Sequence, residues 1–264
     1  MSLTLGGGPL AADHPKTVNY RLDGPERLLY ASPFPRRVRA VLGGETVLDT
    51  DRGILVHETG LLPVLYAPWE DVRHGHLEAS DRRTRCPIKG EAAYWHLRVG
   101  SQLAENAVWS YPEPTAGARW LHGMAAVYWA SADAWFDEEE RVHGHLRDPF
   151  HRVDARHSRT IVRVCHGEHT VALSSRPLLL SETGLPNRYY IPVDDVDPAL
   201  FTASRTRTRC PYKGEATYWN LLVNGREIPD AAWSYPHPLP DGPDIAGHVC
   251  LLHAELTTDT ERQP

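Results

Sequence analysis

Two stretches of twelve residues bring together the side-chain types that reactive sites use. The first is Thr84-Arg85-Cys86-Pro87-Ile88-Lys89-Gly90-Glu91-Ala92-Ala93-Tyr94-Trp95, and the second is Thr208-Arg209-Cys210-Pro211-Tyr212-Lys213-Gly214-Glu215-Ala216-Thr217-Tyr218-Trp219. Cys86 and Cys210 follow Arg85 and Arg209 and precede Lys89 and Lys213 by three positions. Cations so placed lower a thiol's pKa and favour a nucleophilic thiolate. The structural alternative is a buried cysteine in a proline turn, since free cysteine is among the most buried residue types. Lys89 and Lys213 stand before glycine in a turn. Each is a cation for an anionic substrate group, a base if desolvated, or the partner of Glu58 or Glu182 in a salt bridge. Glu58 and Glu182 end apolar strands, so each carboxyl is expected to be partly buried. Its pKa would rise if it is unpaired and fall if it meets lysine, and both general acid–base work and a structural ion pair stay open.

The aromatic set is Tyr94, Trp95, Trp109 and Tyr111 with the copies Tyr218, Trp219, Trp233 and Tyr235, joined by Tyr66, Tyr190 and Tyr212. With Arg85 and Arg209 these form the expected ligand-binding residues: an aromatic wall for a flat or cationic ligand, or plain core. Neighbours on a strand point to opposite faces, so one member of each Tyr-Trp pair enters the core and the other faces elsewhere. Among the fifteen histidines, His74-Gly75-His76 and His143-Gly144-His145 have ligand-like spacing. The first of these maps onto Pro198 and Leu200 in the second copy, so no shared metal site is expected. His248, beside Gly247 and a motif strand, is a candidate for acid–base work in the second copy. No Walker-type phosphate loop, Gly-x-Ser-x-Gly elbow or dinucleotide fingerprint is present, and no cofactor is expected.

The elements that must position these residues are short strands. Val38–Leu42, Thr46–Leu48, Ile54–Val56, Val64–Tyr66, Tyr94–Val99, Ala107–Tyr111 and 123–129 read as strands separated by turn residues about every ten positions. The span 132–141 reads as the one helix. The second half repeats the first at an offset of 124 residues, Cys210 against Cys86. The same shift maps Glu58 onto Glu182, Gly60 onto Gly184, Tyr66 onto Tyr190, Asp71 onto Asp195, and Trp109-Ser110-Tyr111-Pro112 onto Trp233-Ser234-Tyr235-Pro236. No gap interrupts that match, although loops tolerate length changes readily, so the chain is a duplication. Residues 1–35 read as an extension, 36–136 as the first repeat, 137–158 as a polar linker and 159–264 as the second repeat. A pseudo-two-fold pair within a monomer is the expected arrangement.

Composition narrows the function. Hydrophobic content of 41% supports real cores, and a net charge of -6 without a basic face argues against a general nucleic-acid binder. No apolar run reaches the roughly 18 residues that span a bilayer. Met1 to Ala12 lack the basic start and apolar core of a signal peptide, and four cysteines are too few for a disulfide scaffold. A cytoplasmic protein is the expectation.

These spaced motifs resemble the domain-of-unknown-function 427 family in a tandem, two-copy form, over about residues 36–130 and 160–254. The resemblance implies an all-β fold of two β-tent-like domains, similar to methionine-R-sulfoxide reductases and the thalidomide-binding domain of cereblon. Many β-tent relatives hold zinc on two Cys-x-x-Cys knuckles, and this chain has none. A nucleotidyltransferase-like label is attached to some of the family. Paired carboxylates for two metals would be needed. Asp49-Thr50-Asp51 offers them in the first copy, but Leu173-Ser174-Ser175 stands there in the second. The second copy is closer to the family pattern, with Tyr212 against Ile88 and Ile245-Ala246-Gly247-His248 against Leu121-His122-Gly123-Met124. The expected function is a small-molecule enzyme of hydrolase, transferase or isomerase type without a redox cofactor, using Cys210, Lys213, Glu182 and His248 or Cys86, Lys89 and Glu58. The alternatives are a non-catalytic small-molecule-binding module, nucleotidyl transfer, or a motif that is purely structural.

Overall fold

The computed structural model describes residues 3–13, 18–19 and 24–262. It divides into two compact units, Met1–Asp148 and Pro149–Pro264, each all-β with open antiparallel sheets. No helix among the described residues is long and apolar enough to cross a membrane.

The first unit holds β1 (Leu29–Pro33), β2 (Val38–Leu42), β3 (Glu45–Thr50), β4 (Ile54–Glu58), β5 (Val64–Pro68), β6 (Leu77–Cys86), β7 (Gly90–Val99), β8 (Gln102–Ser110), β9 (Met124–Val127), β10 (Ala134–Asp137) and β11 (Glu140–Val142). A seven-stranded sheet runs β1-β4-β5-β9-β8-β7-β6, and a four-stranded sheet runs β11-β10-β2-β3. The second unit holds β12 (Val153–His157), β13 (Thr160–His166), β14 (His169–Ser174), β15 (Leu178–Glu182), β16 (Arg188–Pro192), β17 (Phe201–Cys210), β18 (Gly214–Val223), β19 (Arg226–Ser234), β20 (His248–Leu251) and β21 (Thr257–Arg262). Its seven-stranded sheet runs β12-β15-β16-β20-β19-β18-β17, beside a three-stranded sheet β14-β13-β21.

Each large sheet is apolar on both faces, which the period of two along β7 and β18 makes visible. Leu97 and Val99 join Val38, Ala40, Val47, Val108 and Val127 in the core shared with the smaller sheet. Ala92 and Tyr94 point the other way, into a second cluster with Val56, Tyr66, Tyr111, Leu121 and Ala126. The second unit repeats this split: Leu221 and Val223 lie in one core, and Ala216 lies in the other with Leu180, Tyr190, Tyr235 and Ile245. The second cluster is where the motifs meet.

Several elements differ from the sequence reading. The expected helix over 132–141 is the hairpin β10–β11, with Trp135 opposite Val142 and a positive φ of 54° at Glu138 in its turn. Trp135 is buried and its indole stacks on Trp129 at 4.6 Å, so burial of the aromatic in a strand outweighs the acidic run. The stretch expected as a polar linker, 137–158, carries β11 and β12. The extension expected over 1–35 contains β1, which pairs with β4 from Leu29↔Glu58 to Pro33↔Ile54. β12 pairs with β15 at the corresponding positions, from Val153↔Glu182 to His157↔Leu178. Each repeat therefore has one more N-terminal strand than its motifs show. Not all strands are short either. β6, β7, β17 and β18 have 10 residues each, and β6 and β17 are solvent-exposed edge strands with no apolar period to betray them.

Candidate functional site

The turn from Cys86 to Gly90 sets the site. Cys86 closes β6 opposite Gly90, and Cys210 closes β17 opposite Gly214. Gly90 and Gly214 have φ of 112° and 107°, a conformation that L side chains rarely adopt. A Cβ there would also lie 3.0 Å from the Glu113 carbonyl or 3.1 Å from that of His237. The proline-rich loop presses onto the turn, with Thr115 N donating to Lys89 O at 3.1 Å and Leu239 N to Lys213 O at 3.2 Å. That clamp leaves each lysine side chain aimed inward.

Lys89 Nζ donates to Glu58 Oε2 at 2.6 Å, and Lys213 Nζ to Glu182 Oε2 at 2.6 Å. All four side chains are nearly enclosed. A further nitrogen side chain closes each pair: Arg27 Nη1 lies 3.6 Å from Glu58 Oε1, and His151 Nε2 donates to Glu182 Oε1 at 3.2 Å. Burial alone would push the Glu182 carboxyl up. The hydrogen bonds from His151 and Lys213, and their charges, outweigh it and hold the carboxyl at about 2. The lysine ammonium also lies over a tyrosine face, 5.7 Å from the Tyr111 centroid and 5.9 Å from that of Tyr235.

The aromatic residues gather around that pair. Trp109 Nε1 donates to the Tyr66 hydroxyl at 3.0 Å, and Trp233 Nε1 to the Tyr190 hydroxyl at 3.0 Å. The Tyr94 hydroxyl bonds Thr84 Oγ1 at 2.8 Å and that of Tyr218 bonds Thr208 Oγ1 at 3.1 Å. Burial drives the hydroxyls of Tyr66, Tyr111, Tyr190 and Tyr235 well above the usual tyrosine range, and neighbouring Glu58 or Cys86, Cys210 or Cys250 add to it at each. All four stay protonated and act as neutral hydroxyls. Cys86 and Cys210 are half-buried at the edge of this cluster. Cys250 is deeper, and burial pushes its thiol up to about 12 against the pull of Arg188 and Lys213.

Of the expected residues, Cys86, Lys89, Glu58, Tyr66, Tyr94, Trp109 and Tyr111 come together in the first unit. Cys210, Lys213, Glu182, Tyr190, Tyr218, Trp233 and Tyr235 do so in the second, and the Tyr212 ring packs at a tilt against His151, with centroids 4.4 Å apart. Trp95 and Trp219 do not join them. Alternation turns them to the opposite face, where Trp95 packs on Trp69 at 4.6 Å and Trp219 Nε1 donates to Ser234 Oγ at 3.2 Å. His248 is also elsewhere, bonded to the Ala246 carbonyl at 2.8 Å and facing Asp195. Arg85 is exposed on the edge strand, and Arg209 there pairs with the exposed Glu215 at 2.9 Å. Asp49 is held by both nitrogens of an Arg37 fork at 2.7 Å, which keeps its carboxyl below the usual range. Arg27 and His151 were not expected at the site. The 124-residue offset maps one onto the other, a basic side chain onto a basic side chain, which is the signal that could have found them.

The comparisons bear on this geometry. A family described as a domain of unknown function (DUF427) matches residues 30–138 and again 154–262. The chain belongs to the DUF427 family. Both matches begin within the edge strands β1 and β12, so each DUF427 copy includes the strand that the motifs alone did not reveal. No curated protein sequence matches the chain.

Proposed function

We propose that each DUF427 domain is a small-molecule-binding module. Its aromatic wall, Trp109 with Tyr94 or Trp233 with Tyr218, takes a flat group, and the lysine–glutamate pair and tyrosine hydroxyls frame the polar end. The observation that carries this reading is the same constellation built twice at the same distances, with its protonation states pinned. A buried ion pair adds little stability over apolar residues of equal volume, so its presence in both copies favours a role in recognition over scaffolding. A carboxylate held at about 2 and tyrosines kept neutral suit fixed hydrogen bonding better than proton transfer near neutral pH. The test is titration of the full chain with 2-naphthamide, followed through the indole N–H resonances of Trp109 and Trp233. Saturable shifts are expected, larger at the Trp233 indole, whose neighbour Tyr218 is the more exposed of the two wall tyrosines. Absence of saturable shifts with this probe and with a panel of flat heteroaromatics overturns the reading.

Cys86 and Cys210 favour a second reading, the small-molecule enzyme of hydrolase, transferase or isomerase type. Each thiol is half-buried beside tyrosine rings, in the cluster that holds the lysine–glutamate pair. Native-state alkylation against pH tests it. Fast labelling with a midpoint well below the roughly 8.5 of a free thiol supports a nucleophile. Labelling only after unfolding removes it.

A further inference from the structure

The two copies differ at the wall in a way that selects a ligand. In the first unit the Trp109 ring lies 4.3 Å from that of Tyr128, and the Arg82 guanidinium sits 4.8 Å over Tyr94. Tyr94 is only 5% exposed as a result. The 124-residue offset puts Leu252 and Thr206 at those two places in the second unit, and Tyr218 is half-exposed there. The second wall is the more open of the two.

That wall also carries a cation the first lacks. Arg188 begins β16, two residues before Tyr190 and on the same face of the strand. Its guanidinium lies 5.4 Å from the Trp233 ring centroid. Among the described residues no carboxylate pairs with it, and Glu182, the acid of the site, is taken by Lys213 and His151. A half-buried guanidinium over an indole, with no carboxylate partner among the described residues, has five N–H donors that an anion can use. Val64 occupies the equivalent position in the first unit, so the fold does not need a cation there. The neutral hydroxyls of Tyr190 and Tyr235, both within the electrostatic reach of Arg188, add donors and no negative charge.

We propose that the second domain binds a small aromatic acid, with its carboxylate on the edge of the Arg188 fork and its ring against Tyr218 and Trp233. This deepens the binding reading above and rests on it. Charge-assisted, bidentate hydrogen bonds to a planar guanidinium are about twice as strong as neutral ones, so the acid should be preferred strongly over its amide.

The experiment compares 2-naphthoate with 2-naphthamide by calorimetric titration of the full chain. Wild-type protein is expected to bind the naphthoate at least about tenfold more tightly than the amide. Arg188→Gln should bring the two to equal affinity, and a far-UV circular dichroism spectrum and thermal midpoint matching the wild type report that the variant is folded. Arg188→Lys should keep part of the preference. Amide binding with no preference for naphthoate in the wild type overturns this proposal and leaves the binding reading standing. A naphthoate preference that survives Arg188→Gln overturns it as well. Failure of both probes overturns both.

Discussion

Glu182 is the group whose removal tests the site's electrostatics most directly. In Glu182→Gln the side chain keeps its shape, but the buried Lys213 loses its counter-charge. Breaking a buried ion pair from one side costs about 3–5 kcal/mol, so the second domain should be less stable by roughly that amount near neutral pH. The pH dependence is more diagnostic. The carboxyl titrates at about 2 in the folded chain against an ordinary 4.5. A folded value below the unfolded one gives stability that is complete above 4.5 and is lost as pH falls towards 2. The gap between those values is worth about 3 kcal/mol, and about 2 kcal/mol once solvent screening of a group near the surface is allowed for. Urea unfolding read through the indole resonances of Trp219 and Trp233, the two tryptophans of the second unit, isolates that unit. The difference between wild type and Glu182→Gln should shrink by about 2 kcal/mol as the pH falls from about 4.5 to about 2. A constant or widening difference would refute the assignment of a strongly held carboxylate.

Tyr190→Phe leaves the Trp233 indole N–H without its acceptor, and Tyr66→Phe does the same to Trp109; the equal bond lengths predict equal losses of about 1–3 kcal/mol in chemical denaturation of the respective units. Gly214→Ala meets both a φ of 107° and the His237 carbonyl, so a fall of about 1–3 kcal/mol is expected, and unaltered thermal stability would show that the turn relaxes. Cys250 should resist iodoacetamide in native protein even at mildly alkaline pH, because burial pushes its thiol up to about 12; mass-spectrometric labelling at a rate matching the unfolded chain would contradict its burial.

Much of the site could be read from the chain because duplication supplies its own control. An ungapped offset marks Cys, Lys, Glu, Tyr and Trp as a set, and the period of two along Tyr94-Trp95 requires that only one of each pair face the cluster. Which one was beyond the pattern: Tyr94 and Trp95 are both large and apolar, and only the second sheet behind β7 makes the Trp95 side the inner core. Local pattern also misled at 132–141, where acidic residues suggested a helix but pairing of Trp135 with β2 builds a strand.

By itself the sequence determined the all-β class, the two copies, the correspondence of their motifs and the Cys, Lys, Glu, Tyr and Trp types that the cluster gathers. Composition, alternation and offset are properties of the chain alone, and they survive any arrangement of it. Tertiary structure decided which basic side chains reach Glu58 and Glu182, which rings turn away, and which arginines stay solvated. Arg27 and His151 reach the site because β1 and β12 pair beside β4 and β15, contacts between residues 31 apart that no local pattern encodes. Arg188 differs from the arginines of the edge strands only in where β16 puts it. It lies over Trp233 and has no carboxylate partner among the described residues, which is what the proposed carboxylate site rests on.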